Sequence, residues 1–340
     1  MIASLWTLAV VLLSQPPIRA WLFGPQRKRA VPWGGLEVLA VVFLTQFVWN
    51  GLVFDLLVQS QALDQVYGAG FTEEYSKNRH VEEPGLSTVR VSLWVGALGF
   101  PINLATVVLI PVLARRARFY QFGITQERLG RHLFAGLLCF LALTPVVYAT
   151  NFAVDNFVIK WNQKQPTRHP FDELIQQAES KAELALLAFA VLVAAPIYEE
   201  LLFRRLLQGW LSKVRWGGLG AFLLTLLLTI LLRWRHLRGA WLEENWNELA
   251  LQLQPFLFVL LTGPALVVIR KLRRPQVAGA IYGSSLLFAI AHIGVWPSPV
   301  SLFALGLGLG WLAYRSQSVV PTITVHTLFN SLAFLSIWSR

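Results

Sequence analysis

Ten apolar runs spread over 340 residues decide most of what this chain can be. They fall at about 2–18, 33–57, 91–113, 132–153, 182–204, 216–232, 255–270, 277–296, 299–314 and 319–338. Most reach or approach the ~20 residues that a helix needs to cross the hydrocarbon of a bilayer. The expected fold class is therefore all-α, a polytopic transmembrane helix bundle of about 8–10 spans. Composition agrees: 55% of residues are hydrophobic and 14% charged, which excludes an ordinary soluble globule. Pro16 and Pro17 interrupt the first run, which lacks a basic region ahead of it and a clear A-x-A site. It reads as a retained anchor and not as a cleaved signal peptide.

Charge orients such a bundle. The loops 19–30, 114–131, 204–215, 270–274 and 315–318 hold 18 of the 29 Lys and Arg residues, and their only acid is Glu127. The alternate loops and the C-terminus hold the other 11. Ten spans with both termini outside satisfy the positive-inside rule at every long loop. The net charge of +11 is thus expected to hold cytoplasmic loops in place, and nucleic acid is not an expected partner. Tryptophans flanking the runs (Trp33, Trp161, Trp216, Trp234, Trp311, Trp338) suit an interfacial aromatic belt. The lone Cys139 excludes intramolecular disulfides and thiolate metal clusters.

The outer loops 58–90 and 154–181 are polar and suit short surface helices or caps. The stretch 233–254, "RWRHLRGAWLEENWNELALQLQ", suits an interfacial amphipathic helix. "GLGLG" (Gly306, Gly308, Gly310) lies inside a span with no strand ahead of it, so close helix approach is expected and not nucleotide binding. No internal repeat is apparent.

Four charges sit where charge is costly. In "IYEELLFRRLL" (197–207), residues four apart share a helical face, so Glu200 is expected to pair with Arg204, leaving Glu199 without a local partner. Arg205 is expected to reach the cytoplasmic interface. An unpaired intramembrane carboxylate suits a general base. Two histidines are also deeply placed: His292, four residues after Phe288, and His326, four before Asn330. The others (His80, His132, His169, His236) read as solvated. Glu199, His292, His326 and Asn330 suit one shared polar cavity inside the bundle. There a carboxylate and an imidazole can activate water, while the second imidazole and the amide stabilise an oxyanion. Alternatively Glu199, His292 and His326 could hold Zn²⁺ with one open position. Either arrangement points to hydrolysis of a carbonyl, most plausibly a peptide bond. There is no HExxH, no G-x-S-x-G and no motif around Cys139.

These residues resemble the CPBP family of intramembrane proteases, which includes the CAAX prenyl endopeptidases and the Abi bacteriocin-immunity proteins. The three motifs are Glu199–Arg204 (EExxxR), Phe288–His292 (FxxxH) and His326–Asn330 (HxxxN), in family order and each on an expected span. The resemblance implies that Glu199 and His292 activate water and that His326 and Asn330 serve the oxyanion. Glu200, Arg204 and Phe288 are supporting. It covers about 120–338, starting near "FGITQERLGRHL". The implied division is 1–115, N-terminal spans with the outer loop 58–90, and 116–340, a protease core with a two-span insertion at about 216–272. That insertion makes the distance from Glu200 to His292 longer than the family's, and Arg205 stands where the family commonly has glycine. With helices taken as straight, His292 and His326 differ in depth by roughly 10 Å, and a break near Gly283 or Gly294 would close the gap. The resemblance implies an integral, multi-pass endopeptidase, in the cytoplasmic (plasma) membrane if bacterial. Its partners would be bilayer lipid and a peptide or lipidated protein. A non-catalytic immunity or scaffold protein of the same family is the alternative. A proton-coupled transporter is a further one, for which no inverted repeat is found.

Overall fold

Among the described residues, seven helices are long and apolar enough to cross a membrane: Gly35–Gln59, Leu86–Arg115, Leu129–Lys160, Lys181–Leu211, Gly217–Leu242, Trp246–Arg270 and Val320–Trp338. They were found in a computed structural model that describes residues 2–24, 31–78, 85–124, 128–162 and 170–339. His80, His169 and Glu127 lie outside the described residues, as do parts of both long outer loops. The structure is 85% helical, and the described residues include no strand, so the chain is an all-α, multi-pass integral membrane protein. Three of the ten runs fall outside the set of seven. Residues 2–18 break at Gln15 into Ile2–Ser14 and Pro16–Phe23, with proline opening the second piece. Pro275–Ile290 is shorter than a full span. In Ser298–Ser316, glycines and serines dilute the apolar content.

The chain packs as two units, each assembled from separate stretches. One comprises 1–29, 123–167 and 203–325. Small residues set its geometry: a Cβ on Gly218 would stand 2.9 Å from the Gly279 Cα, so Gly217–Leu242 and Pro275–Ile290 meet backbone to backbone. The "GLGLG" glycines do the same on three sides. A Cβ would approach Ser285 from Gly306, Leu143 from Gly308 and Gln208 from Gly310, each at 3.0 Å or less. Close helix approach was the expectation for this motif, and the packing bears it out. The stretch 233–254 is not a separate interfacial helix. Gly217–Leu242 and Trp246–Thr262 run through it and turn at Glu243–Asn245, where Asn245 caps the second helix through the Glu248 N–H.

The other unit comprises 30–122, 168–202 and 326–340. Its long helix Leu86–Arg115 packs Val89 and Leu93 against Leu174, Ile175, Leu187 and Phe334. The outer stretch after Gln59 does form short helices, Asp64–Tyr67 and Phe71–Asn78, with Phe71 and Tyr75 buried against Leu57, Leu63 and Val91. Trp33 departs from the aromatic belt: it is fully buried and stacked on Phe122, ring centroids 5.2 Å apart. Trp216, Trp234, Trp311 and Trp338 are exposed, as a belt requires.

Candidate active site

The helix entering the site begins at Lys181 and is interrupted by two π segments. Lys181–Phe189 is α, Ala190–Ala194 is π, Ala195–Glu199 returns to α, and Glu200–Leu207 is π again. A third π segment, Leu44–Trp49, interrupts the helix from Gly35. Such bulges shift a backbone hydrogen bond from i→i−4 to i→i−5 and often mark functional sites. They also free carbonyls. Val191 O accepts from Asn330 Nδ2 at 2.8 Å, and Leu192 O from Thr327 Oγ1 at 3.0 Å, which ties this helix to Val320–Trp338.

His326 stands one turn before Asn330 and is 5% exposed. Its Nδ1 lies 3.0 Å from Oε1 of Glu200, a fully buried carboxylate. Its Nε2 lies 3.9 Å from Glu199 Oε2, too far for a direct hydrogen bond. A carboxylate accepts, so Nδ1 carries the proton donated to Glu200. Glu199 Oε2 is buried with no hydrogen-bond partner among the described residues, which is costly and characteristic of functional groups in membranes. One imidazole thus faces both members of the acid pair, one through each ring nitrogen.

Residues before position 115 also hold the neighbour of the acid pair. Tyr198, next to Glu199, donates to Thr45 Oγ1 at 2.7 Å and accepts from Gln46 Nε2 at 2.9 Å. Thr45 donates in turn to Val41 O. Adjacent polar residues inside "VVFLTQFVW" were the available signal, because polar groups in a span are seldom idle.

In the other unit, the FxxxH pair is built around one ring. Phe288 is fully buried; the Phe203 ring meets it edge-on at 5.3 Å, and the Arg204 guanidinium sits over it at 4.8 Å. The helix Pro275–Ile290 stops before His292, which lies in a turn leading into the 3₁₀ segment Ile293–Val295. Of the two glycines named as places for a break, Gly294 lies just beyond the helix end, and Gly283 stays helical. His292 Nδ1 lies 2.9 Å from the Phe288 carbonyl, which can only accept, so Nδ1 is the donor and Nε2 keeps its lone pair.

Two expectations need correction. Arg205 does not escape to the interface: the helix continues to Leu211, and Arg205 is buried. His132 is not solvated but buried within Leu129–Asn162. No group of three or more His, Cys, Asp or Glu among the described residues is placed to hold a metal ion.

Residues 181–278 and 266–332 match the family described as type II CAAX prenyl endopeptidase Rce1-like. That stretch holds all three motifs, and the CPBP-type recognition made from them is borne out. No curated protein and no solved structure matches the chain.

Proposed function

Taking residues 181–332 as an Rce1-like protease region, we propose that the protein is an intramembrane endopeptidase acting on a membrane-associated peptide or lipidated protein, with a prenylated C-terminal segment as the first substrate to test. The observation that carries the mechanism is the buried Glu199 Oε2, left without a hydrogen bond beside an imidazole already oriented by Glu200. Glu199 takes a proton from water as its oxygen attacks the scissile carbonyl carbon. His292 accepts the second water proton in a hydrogen bond at Nε2. The C=O electron pair moves onto oxygen. Collapse of that tetrahedral oxyanion breaks the C–N bond, and the leaving amine receives the proton held on Glu199.

Asn330 uses one amide N–H on Val191 O and keeps a second for the oxyanion. His326 can donate from Nε2 only when doubly protonated, and Glu200 is then its counter-charge. Arg204 and Phe288 support the site from their stacked contact. The division into an N-terminal part, 1–115, and a core, 116–340, with an insertion at 216–272 belongs to this proposal.

The test is hydrolysis of a quenched fluorogenic peptide ending in a farnesylated CAAX sequence, by protein in nanodiscs. Removing a general base typically costs about 10²–10⁴-fold, so Glu199→Gln should lose at least about 10²-fold in kcat, and His292→Ala should follow. Equal turnover by wild type and Glu199→Gln would eliminate this mechanism. A folded wild type that cleaves neither this peptide nor its unprenylated form would favour the non-catalytic scaffold.

A further inference from the structure

His292 lies beyond the last residue of its helix, so the backbone ladder that fixes a helical side chain does not extend to it. Its ring is tied through Nδ1 to the Phe288 carbonyl, and the backbone that carries it depends on whatever ties down residues 291–297. The segment's local backbone bonds are Ala291 N–H to Leu287 O, His292 N–H to Ala289 O, Val295 N–H to His292 O and Val300 N–H to Pro297 O. Its other named side-chain ties reach the hairpin Gly217–Leu242 and Trp246–Thr262. Arg233 Nη2 donates to Ile293 O at 2.5 Å, and Trp296 Nε1 donates to Gln254 Oε1 at 2.9 Å. Arg233 is itself braced. Its Nη1 donates to Gln252 Oε1 at 3.1 Å, and Gln252 Nε2 donates to Glu248 Oε1 at 2.7 Å. The Trp296 ring also packs on Phe258, centroids 6.3 Å apart.

An arginine within a spanning helix is expensive, and the usual escape is to extend toward the interface. Arg233 instead turns its charge onto one backbone carbonyl. That carbonyl follows the C-terminus of Pro275–Ile290, where cations are favoured by the helix dipole, and the bond is charge-assisted. These ties occupy both sides of Gly294, next to the histidine and four residues beyond it.

We infer that Arg233 and Gln254 are positioning residues for His292, and that the hairpin read as an insertion serves to fix the turn that presents this imidazole. The inference rests on the reading of His292 as part of the water-activating pair. A misplacement of the order of 1 Å at a reacting group costs about 10²-fold, so loosening this turn should show in kcat, while substrate binding, measured by KM, stays nearly unchanged.

The experiment compares wild type with Arg233→Ala, Arg233→Lys and Trp296→Phe in nanodiscs. The last removes the N–H donor and leaves a smaller aromatic ring in its place, so it remains informative if Arg233→Ala fails to fold. Amide hydrogen exchange needs no substrate. In Arg233→Ala and Trp296→Phe it should quicken by about tenfold over 291–297, with the far helices unchanged. On the farnesylated peptide, kcat should fall by about 10–100-fold, with partial recovery in Arg233→Lys and on adding guanidinium to Arg233→Ala. In a His292→Ala background, Arg233→Ala should cost nothing further. Unchanged exchange, or the same fold-loss with and without His292, overturns the inference. The two failures are separable. An active His292→Ala sinks the catalytic reading, whereas a dead His292→Ala beside fully active Arg233→Ala and Trp296→Phe sinks only the positioning role.

Discussion

Arg90 is 7% exposed and Glu183 3%, and they meet at 2.8 Å through Nε and Oε1. Arg90 Nη2 also reaches Glu179 at 2.8 Å, and its guanidinium covers the Tyr67 ring at 4.7 Å. Glu183 accepts from the Glu179 N–H, while Ser180 caps the Glu183 N–H, so this cluster anchors the start of the helix that carries Glu199 and Glu200. Removing one member of a buried pair strands the other, a loss of about 3–5 kcal/mol. Arg90→Ala should therefore lower the thermal unfolding midpoint sharply. Arg90→Ala together with Glu183→Leu should recover much of it, and a double variant no better than the single one would refute the stranded-charge account. At this scale the residue types were legible from sequence and their partners were not. Glu200 is expected beside Arg204 by α-helical spacing; its contact with His326 comes from another segment, and no local spacing announces it.

Among elements, the π segment Ala190–Ala194 pairs with the polar face of Val320–Trp338. Thr327 and Asn330 satisfy the freed carbonyls of Leu192 and Val191, which a lipid-facing backbone could not leave bare. Interhelical hydrogen bonds in membranes are worth about 0.6 kcal/mol on average and reach about 1.7. Thr327→Val should cost stability of that order and leave kcat within twofold. Asn330→Ala should cost similar stability and also reduce kcat, because its second N–H is assigned to the oxyanion. Unfolding midpoints and turnover measured on the same samples separate the two effects, and equal kcat in both variants would remove Asn330 from the chemistry. Sequence could place Asn330 on the face of His326. It could not reveal the bulge opposite, because π insertions are set by what packs against a helix and not by its local propensity.

For the whole molecule, the single thiol provides a reporter. Cys139 is 4% exposed within Leu129–Asn162. A maleimide dye should leave the native protein unlabelled and react in one cooperative step as that unit unfolds on heating. Rapid labelling at 20 °C would contradict the packing of Leu143 against Gly308. Sequence alone determined that the chain is helical and multi-pass, which motif residues it carries, and that "GLGLG" serves helix approach. Those properties follow from apolar run length and residue size, which act locally or against a uniform lipid solvent. Tertiary structure decided where helices stop, where they widen into π turns, and where Trp33, His132 and Arg205 go. It also paired His326 with Glu200 and fastened the His292 turn to a distant hairpin. Buried polar groups must find partners wherever the fold brings them, and contacts separated by 126 or 60 residues leave no periodicity to read.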